Sequence, residues 1–100
     1  MEIQILHIDE CPNWSEAGER VRAVLDESGR ADVEIAFTLL TTSEDAAAVP
    51  FAGSPTIVVD GEDLFPSDGR TADLACRVYL TPTGFAGLPT VQQLRDALNR

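Results

Sequence analysis

The chain is expected to fold as a single α/β domain on a four-stranded mixed sheet, and three observations carry that expectation. Its first segment, Glu2 to Ile8, is apolar on both faces. A stripe of helical period follows directly, and Asp60-Gly61 joins two strand-like segments later in the chain. At 100 residues there is room for one core, which buries about 65% of the surface exposed by the unfolded chain, and none for a separate cofactor domain.

In the opening segment Ile3 and Ile5 fall on one face and Leu6 and Ile8 on the other, as in a strand covered on both sides and so central in its sheet. Trp14, Ala17, Val21, Val24 and Leu25 then mark an amphipathic helix that stops at Ser28-Gly29. Pro12 suits a first helical position, and Asn13 with Glu16 has the spacing of a capping box. Either start puts Cys11 at the helix N-terminus. From Asp32 to Thr38 the chain alternates, with Val33, Ile35, Phe37 and Leu39 set against polar or small residues, which predicts an edge strand with one wetter face.

Thr41 and Glu44 offer a second capping box ahead of Ala46 to Val49, a short helix ended by Pro50. After the loop Phe51-Ala52-Gly53-Ser54, the β-branched run Thr56 to Val59 reads as a buried strand. Asp60-Gly61 turns it into an antiparallel partner around Glu62 to Phe65. Thr90 with Gln93 caps a last helix carrying Val91, Leu94, Ala97 and Leu98. The order is β, α, β, short α, β, β, α. An order of 2-1-3-4 is expected, with the first two strands parallel through a right-handed crossover. Residues 66–89 form a long connection that includes Cys76 and the turn-rich Thr81-Pro82-Thr83-Gly84.

Composition narrows function. A hydrophobic fraction of 44% with 24% charged residues argues for a folded chain rather than a disordered one. The net charge of −10 comes from 17 acidic and 7 basic residues, and every basic residue is arginine, so no lysine-rich patch serves nucleic acid or an anionic membrane. The Ile3 to Ile8 run is broken by Gln4 and His7 and lacks a basic flank, so it is read as neither a signal peptide nor a membrane span. A cytoplasmic protein is expected. In that reducing compartment two cysteines are free, catalytic or metal-binding rather than a scaffold.

Cys11-Pro12-Asn13-Trp14 stands where the first strand meets the first helix, and Gly53-Ser54-Pro55-Thr56 stands just before the third strand. With Phe51, Asp60-Gly61 and Cys76-Arg77-Val78-Tyr79, these motifs resemble those of small bacterial thioredoxin-like proteins, a group in which some members are labelled alkylmercury lyase. The resemblance covers nearly the whole chain. It implies a thioredoxin-like fold, a cis Ser54–Pro55 bond facing Cys11, and thiol redox chemistry. Trp14 departs from the pattern, standing in place of the resolving cysteine of C-x-x-C, so a local dithiol mechanism is excluded.

What remains is Cys11 as a single thiol. The helix N-terminus favours its thiolate, while Asp9, Glu10, Glu16 and Glu19 oppose it. The alternative for Cys11 is an inert packing residue. Cys76 is either a structural thiol in an apolar stretch or the partner of Cys11, and both readings stand at this point. His7 and Trp14 are read first as packing residues. On the redox reading, Cys11 attacks a small-molecule or protein disulfide, Cys76 or an external thiol releases the product, and Pro12, Trp14, Ser54 and Pro55 line the substrate. No cofactor or resident metal is expected. A soft-metal or organomercurial protein and a non-catalytic peptide-binding module are the rival functions, although the aspartate of the lyases is replaced by Trp14.

Overall fold

The computed structural model describes residues 1–66 and 74–99. Residues 67–73, within the long connection expected at 66–89, lie outside the described residues. Among the described residues nine elements follow in chain order: β1 Ile3–His7, α1 Trp14–Glu27, β2 Ile35–Leu39, α2 Ser43–Ala47, β3 Thr56–Val59, β4 Glu62–Asp63, β5 Tyr79–Thr81, β6 Gly84–Ala86 and α3 Val91–Leu98.

The first four strands form one mixed sheet in the order β2-β1-β3-β4. β1 lies parallel to β2, with Ile5 opposite Phe37, and antiparallel to β3, with Ile5 opposite Ile57. The two apolar faces of β1 are both used. Ile3 and Ile5 join Val21, Val24, Leu25, Ile57, Leu94 and Leu98 under α1 and α3. Leu6 and Ile8 join Leu40, Ala46, Phe51 and Val58 on the α2 side. The domain is therefore three layers deep with the sheet in the middle. No helix among the described residues is long and apolar enough to cross a membrane.

Asp60 and Gly61 both adopt left-handed backbone, with φ of 51° and 85°, the requirement of a type I′ hairpin, and they turn β3 into antiparallel β4. The capping box at the start of α3 is present in both directions between Thr90 and Gln93. Three local expectations need correction. Asn13 sits in helical backbone with no side-chain cap, so α1 begins at Trp14 and Cys11 lies three residues before it. The cap of α2 is Thr42, which accepts from the Asp45 N–H, rather than Thr41 with Glu44. β2 begins only at Ile35 and lies at the edge of the sheet, where its Phe37 and Leu39 are 47% and 44% exposed.

The long connection is not featureless. Tyr79–Thr81 and Gly84–Ala86 pair as a second, two-stranded sheet, with Leu80 opposite Phe85. Its turn is the Thr81-Pro82-Thr83-Gly84 sequence, where Gly84 takes a φ of 118° and the Thr81 hydroxyl donates to the Gly84 carbonyl.

Candidate functional site

The site is assembled around the loop Gly53-Ser54-Pro55-Thr56, which ends in a cis Ser54–Pro55 bond as expected. Thr56 stiffens this loop: its hydroxyl donates to the Gly53 carbonyl and accepts from the Ala52 N–H. Ser54 then acts as a three-way joint. Its hydroxyl oxygen accepts from the Ile8 N–H at 3.1 Å, fixing the exit of β1 three residues before Cys11. Its own N–H donates to the Ala75 carbonyl at 2.8 Å, and its carbonyl accepts from the Arg77 N–H at 2.9 Å. These two bonds make an isolated parallel bridge between Ser54 and Cys76. One residue thus positions both cysteine-bearing segments.

Cys11 and Cys76, 65 residues apart in sequence, are joined in a disulfide with their Cα atoms 5.8 Å apart, within the range such bonds require. Their surroundings differ. Cys11 is 1% exposed and belongs to the apolar cluster of Leu6, Ile8, Phe51 and Val58. Cys76 is exposed. The expectation of an accessible Cys11 thiol at a helix tip thus meets a side chain buried in the core, in one cluster with Phe51, Leu40 and Ala46 from elsewhere in the chain.

The segment bearing Cys76 is fastened independently of the disulfide. The Arg77 guanidinium pairs with Asp63 at 2.9 Å, with side-chain exposures of only 6% and 13%, and donates to the Phe65 carbonyl. It also lies 4.5 Å from the centre of the Tyr79 ring. The Tyr79 hydroxyl donates to the Pro55 carbonyl, which ties β5 to the cis-proline loop. Burial pushes the Tyr79 phenol well above its ordinary value, against the pull of Arg77, so it remains a donor at neutral pH. Gly53 allows the close approach: its φ is 104°, and a Cβ built there would lie 2.7 Å from the Arg77 Cα.

Of the residues singled out from sequence, Cys11, Cys76, Ser54 and Pro55 come together. Trp14 does not join them; it stacks on His7 at 4.4 Å and meets Phe37 edge-on, packed against the cluster under α1. Pro12 is exposed. Burial lowers the His7 imidazole below its ordinary value, with Asp9 pulling the other way. Ser54 and Pro55 were expected to receive substrate, yet the Ser54 backbone groups are taken by this chain's own residues 75 and 77. Sequence reasoning quoted Arg77 and Tyr79 only as part of a motif, with no role assigned, and missed Asp63. The signal was a lone arginine inside the apolar run from Leu74 to Leu80, where an unpaired charge would be costly to bury.

Among the described residues no group of three or more histidine, cysteine, aspartate or glutamate side chains is placed to hold a metal ion. No family model, no curated protein and no solved structure matches this chain.

Proposed function

We propose that this chain is a thioredoxin-like redox protein whose Cys11–Cys76 pair cycles between disulfide and dithiol. The observation that carries the reading is the meeting of two distant cysteines on a framework that does not depend on their bond. The Ser54 bridge, the Arg77–Asp63 pair and the Tyr79–Pro55 hydrogen bond all hold Cys76 beside Cys11. Two thiols kept adjacent after reduction re-close rapidly, because the second step is intramolecular.

Cys76 thereby supplies the second sulfur that Trp14 denies to the local motif. The cytoplasm is the compartment we assign, where a disulfide is transient and catalytic rather than structural. The substrates are a small-molecule thiol or a protein disulfide.

The test is a turnover assay in which dithiothreitol reduces a protein disulfide with and without this chain in catalytic amount. Acceleration by the wild type, lost in both Cys11→Ser and Cys76→Ser, is expected. A wild type no faster than the two variants would leave the disulfide a structural link.

A further inference from the structure

Resting on that dithiol–disulfide reading, we infer that Cys76, rather than Cys11, is the sulfur that exchanges with the partner. The partner presents its cysteine among apolar and no acidic neighbours. A thiolate attacks a disulfide at whichever sulfur it can reach, opposite the sulfur that leaves. Cys11 is 1% exposed within the apolar cluster that includes Phe51 and Leu6, while Cys76 is exposed. Access therefore sets the direction of exchange.

The approach to Cys76 has a definite chemistry. From Cys76 to Thr81 the chain alternates, with Cys76, Val78 and Leu80 facing out and Arg77, Tyr79 and Thr81 buried. Val78, Leu80 and Phe85 are 63%, 68% and 77% exposed, and Phe85 lies directly across from Leu80. Cys76 is thus at the head of an apolar stripe. A cavity of about 480 Å³, walled by Phe65, Pro66, Val78, Leu80 and Phe85, opens beside the cysteine. An exposed apolar patch of this kind marks a binding surface, and the disulfide at its head specifies a thiol-bearing occupant. Among the described residues the only cation lining this cavity is Arg77, which is buried and neutralised by Asp63. On a chain of net charge −10, none of the described residues there draws in an anionic thiol.

The exchange balances as follows. The partner's thiolate forms a new S–S bond with Cys76, the Cys11–Cys76 bond breaks, and its electron pair leaves on the Cys11 sulfur. A second thiolate of the same partner then attacks the partner's own sulfur in the mixed disulfide and expels the Cys76 thiolate. The partner departs oxidised to a disulfide, and this chain keeps two electrons and takes up two protons as a dithiol. In reverse, the Cys76 thiolate opens a partner's disulfide, and Cys11 resolves the mixed disulfide by attacking Cys76.

Two rate measurements test the inference. The reduced Cys11→Ser and Cys76→Ser variants are each treated with uncharged 4,4′-dithiodipyridine. The protein retaining Cys76 should react at least about tenfold faster, the two rates converging in urea. Should either variant fail to fold, reduced wild type is labelled with substoichiometric N-ethylmaleimide, and mass spectrometry should place the first label on Cys76. Equal or faster reaction at Cys11 overturns the inference.

Oxidised wild type is then reduced by two dithiol peptides, one with leucine and one with glutamate neighbours. The leucine peptide should be faster, and Leu80→Ser/Phe85→Ser should slow it roughly fivefold without changing the rate with dithiothreitol. Parity of the two peptides overturns the partner assignment. So does a concentration-dependent dimer abolished by the same double variant, which would give the stripe to a second copy. Failure of the redox reading itself looks different: the folded wild type would resist dithiothreitol, whichever cysteine labels first.

Discussion

Cys11 is held by apolar neighbours drawn from β1, β3, the loop before α2 and the loop after it, whereas Cys76 is held by backbone hydrogen bonds and a buried ion pair on a segment whose outer face is bare. The difference teaches how a non-local thiol pair can be both stable and reactive. Core packing fixes one sulfur with no polar contact to lose, and directional bonds fix the other while leaving it open to solvent. A bond spanning 65 residues restrains the unfolded chain by about 4 kcal/mol in the chain-entropy view, and reduction forfeits this. The clamp at Cys76 then has to keep the thiols together.

Breaking the core end should have the largest effect. Phe51→Ala empties a fully buried site and is expected to cost about 3–5 kcal/mol in denaturant unfolding. The loss should be similar in the oxidised and reduced proteins, because Phe51 packs the domain in both. Breaking the clamp comes next. Arg77→Met leaves Asp63 nearly buried without its partner and removes the donor to the Phe65 carbonyl, a loss of about 3 kcal/mol at the lower end for such pairs, since Asp63 retains some solvent. The diagnostic readout is the redox midpoint, which should become more oxidising by about 30 mV for each tenfold loss of effective thiol concentration. Phe51→Ala should leave that midpoint where it is, and a shift in both variants would erase the distinction between the two ends.

How legible this arrangement was in the sequence depends on the range of the interactions. The double-faced pattern of β1, the Asp60-Gly61 turn and the Thr90–Gln93 cap are each written within a few residues, and each is present. The pairing of β5 with β6 was not visible, because strands of three residues, with Leu80 and Phe85 apolar on the outer face, leave no clean alternation of apolar-in and polar-out. The burial of Cys11 was also hidden. Its sequence neighbours Asp9 and Glu10 are exposed acids, and four of the buried residues clustered with it, Leu40, Ala46, Phe51 and Val58, come from 40 to 58. Arg77 and Asp63 meet across 14 residues, a distance at which no local pattern reports.

Ser54→Ala sharpens the comparison from the hinge between the two ends. It deletes the hydroxyl that accepts from Ile8 yet keeps the backbone bridge to residues 75 and 77, so it should cost about 1–2 kcal/mol and act on the Cys11 side alone. The redox midpoint should move less than in Arg77→Met. The smallest effect concerns His7. Its imidazole is held below the ordinary value of 6.5 by burial, so the unfolded chain binds a proton that the folded one resists. Stability should therefore fall as pH drops through 6.5 and below, read as a declining Tm between pH 7.5 and 5. His7→Phe, which keeps a ring to stack on Trp14, should flatten that decline.

The most direct measurement is a redox titration of the wild type in dithiothreitol buffers of graded poise, with thiols trapped and counted while near-ultraviolet circular dichroism follows Trp14 and the tyrosine. A single two-electron transition releasing both thiols, with the tertiary signal retained throughout, is the predicted result. Thiols that appear only as the tertiary signal collapses would contradict it, showing a disulfide that locks the fold rather than one that exchanges upon it.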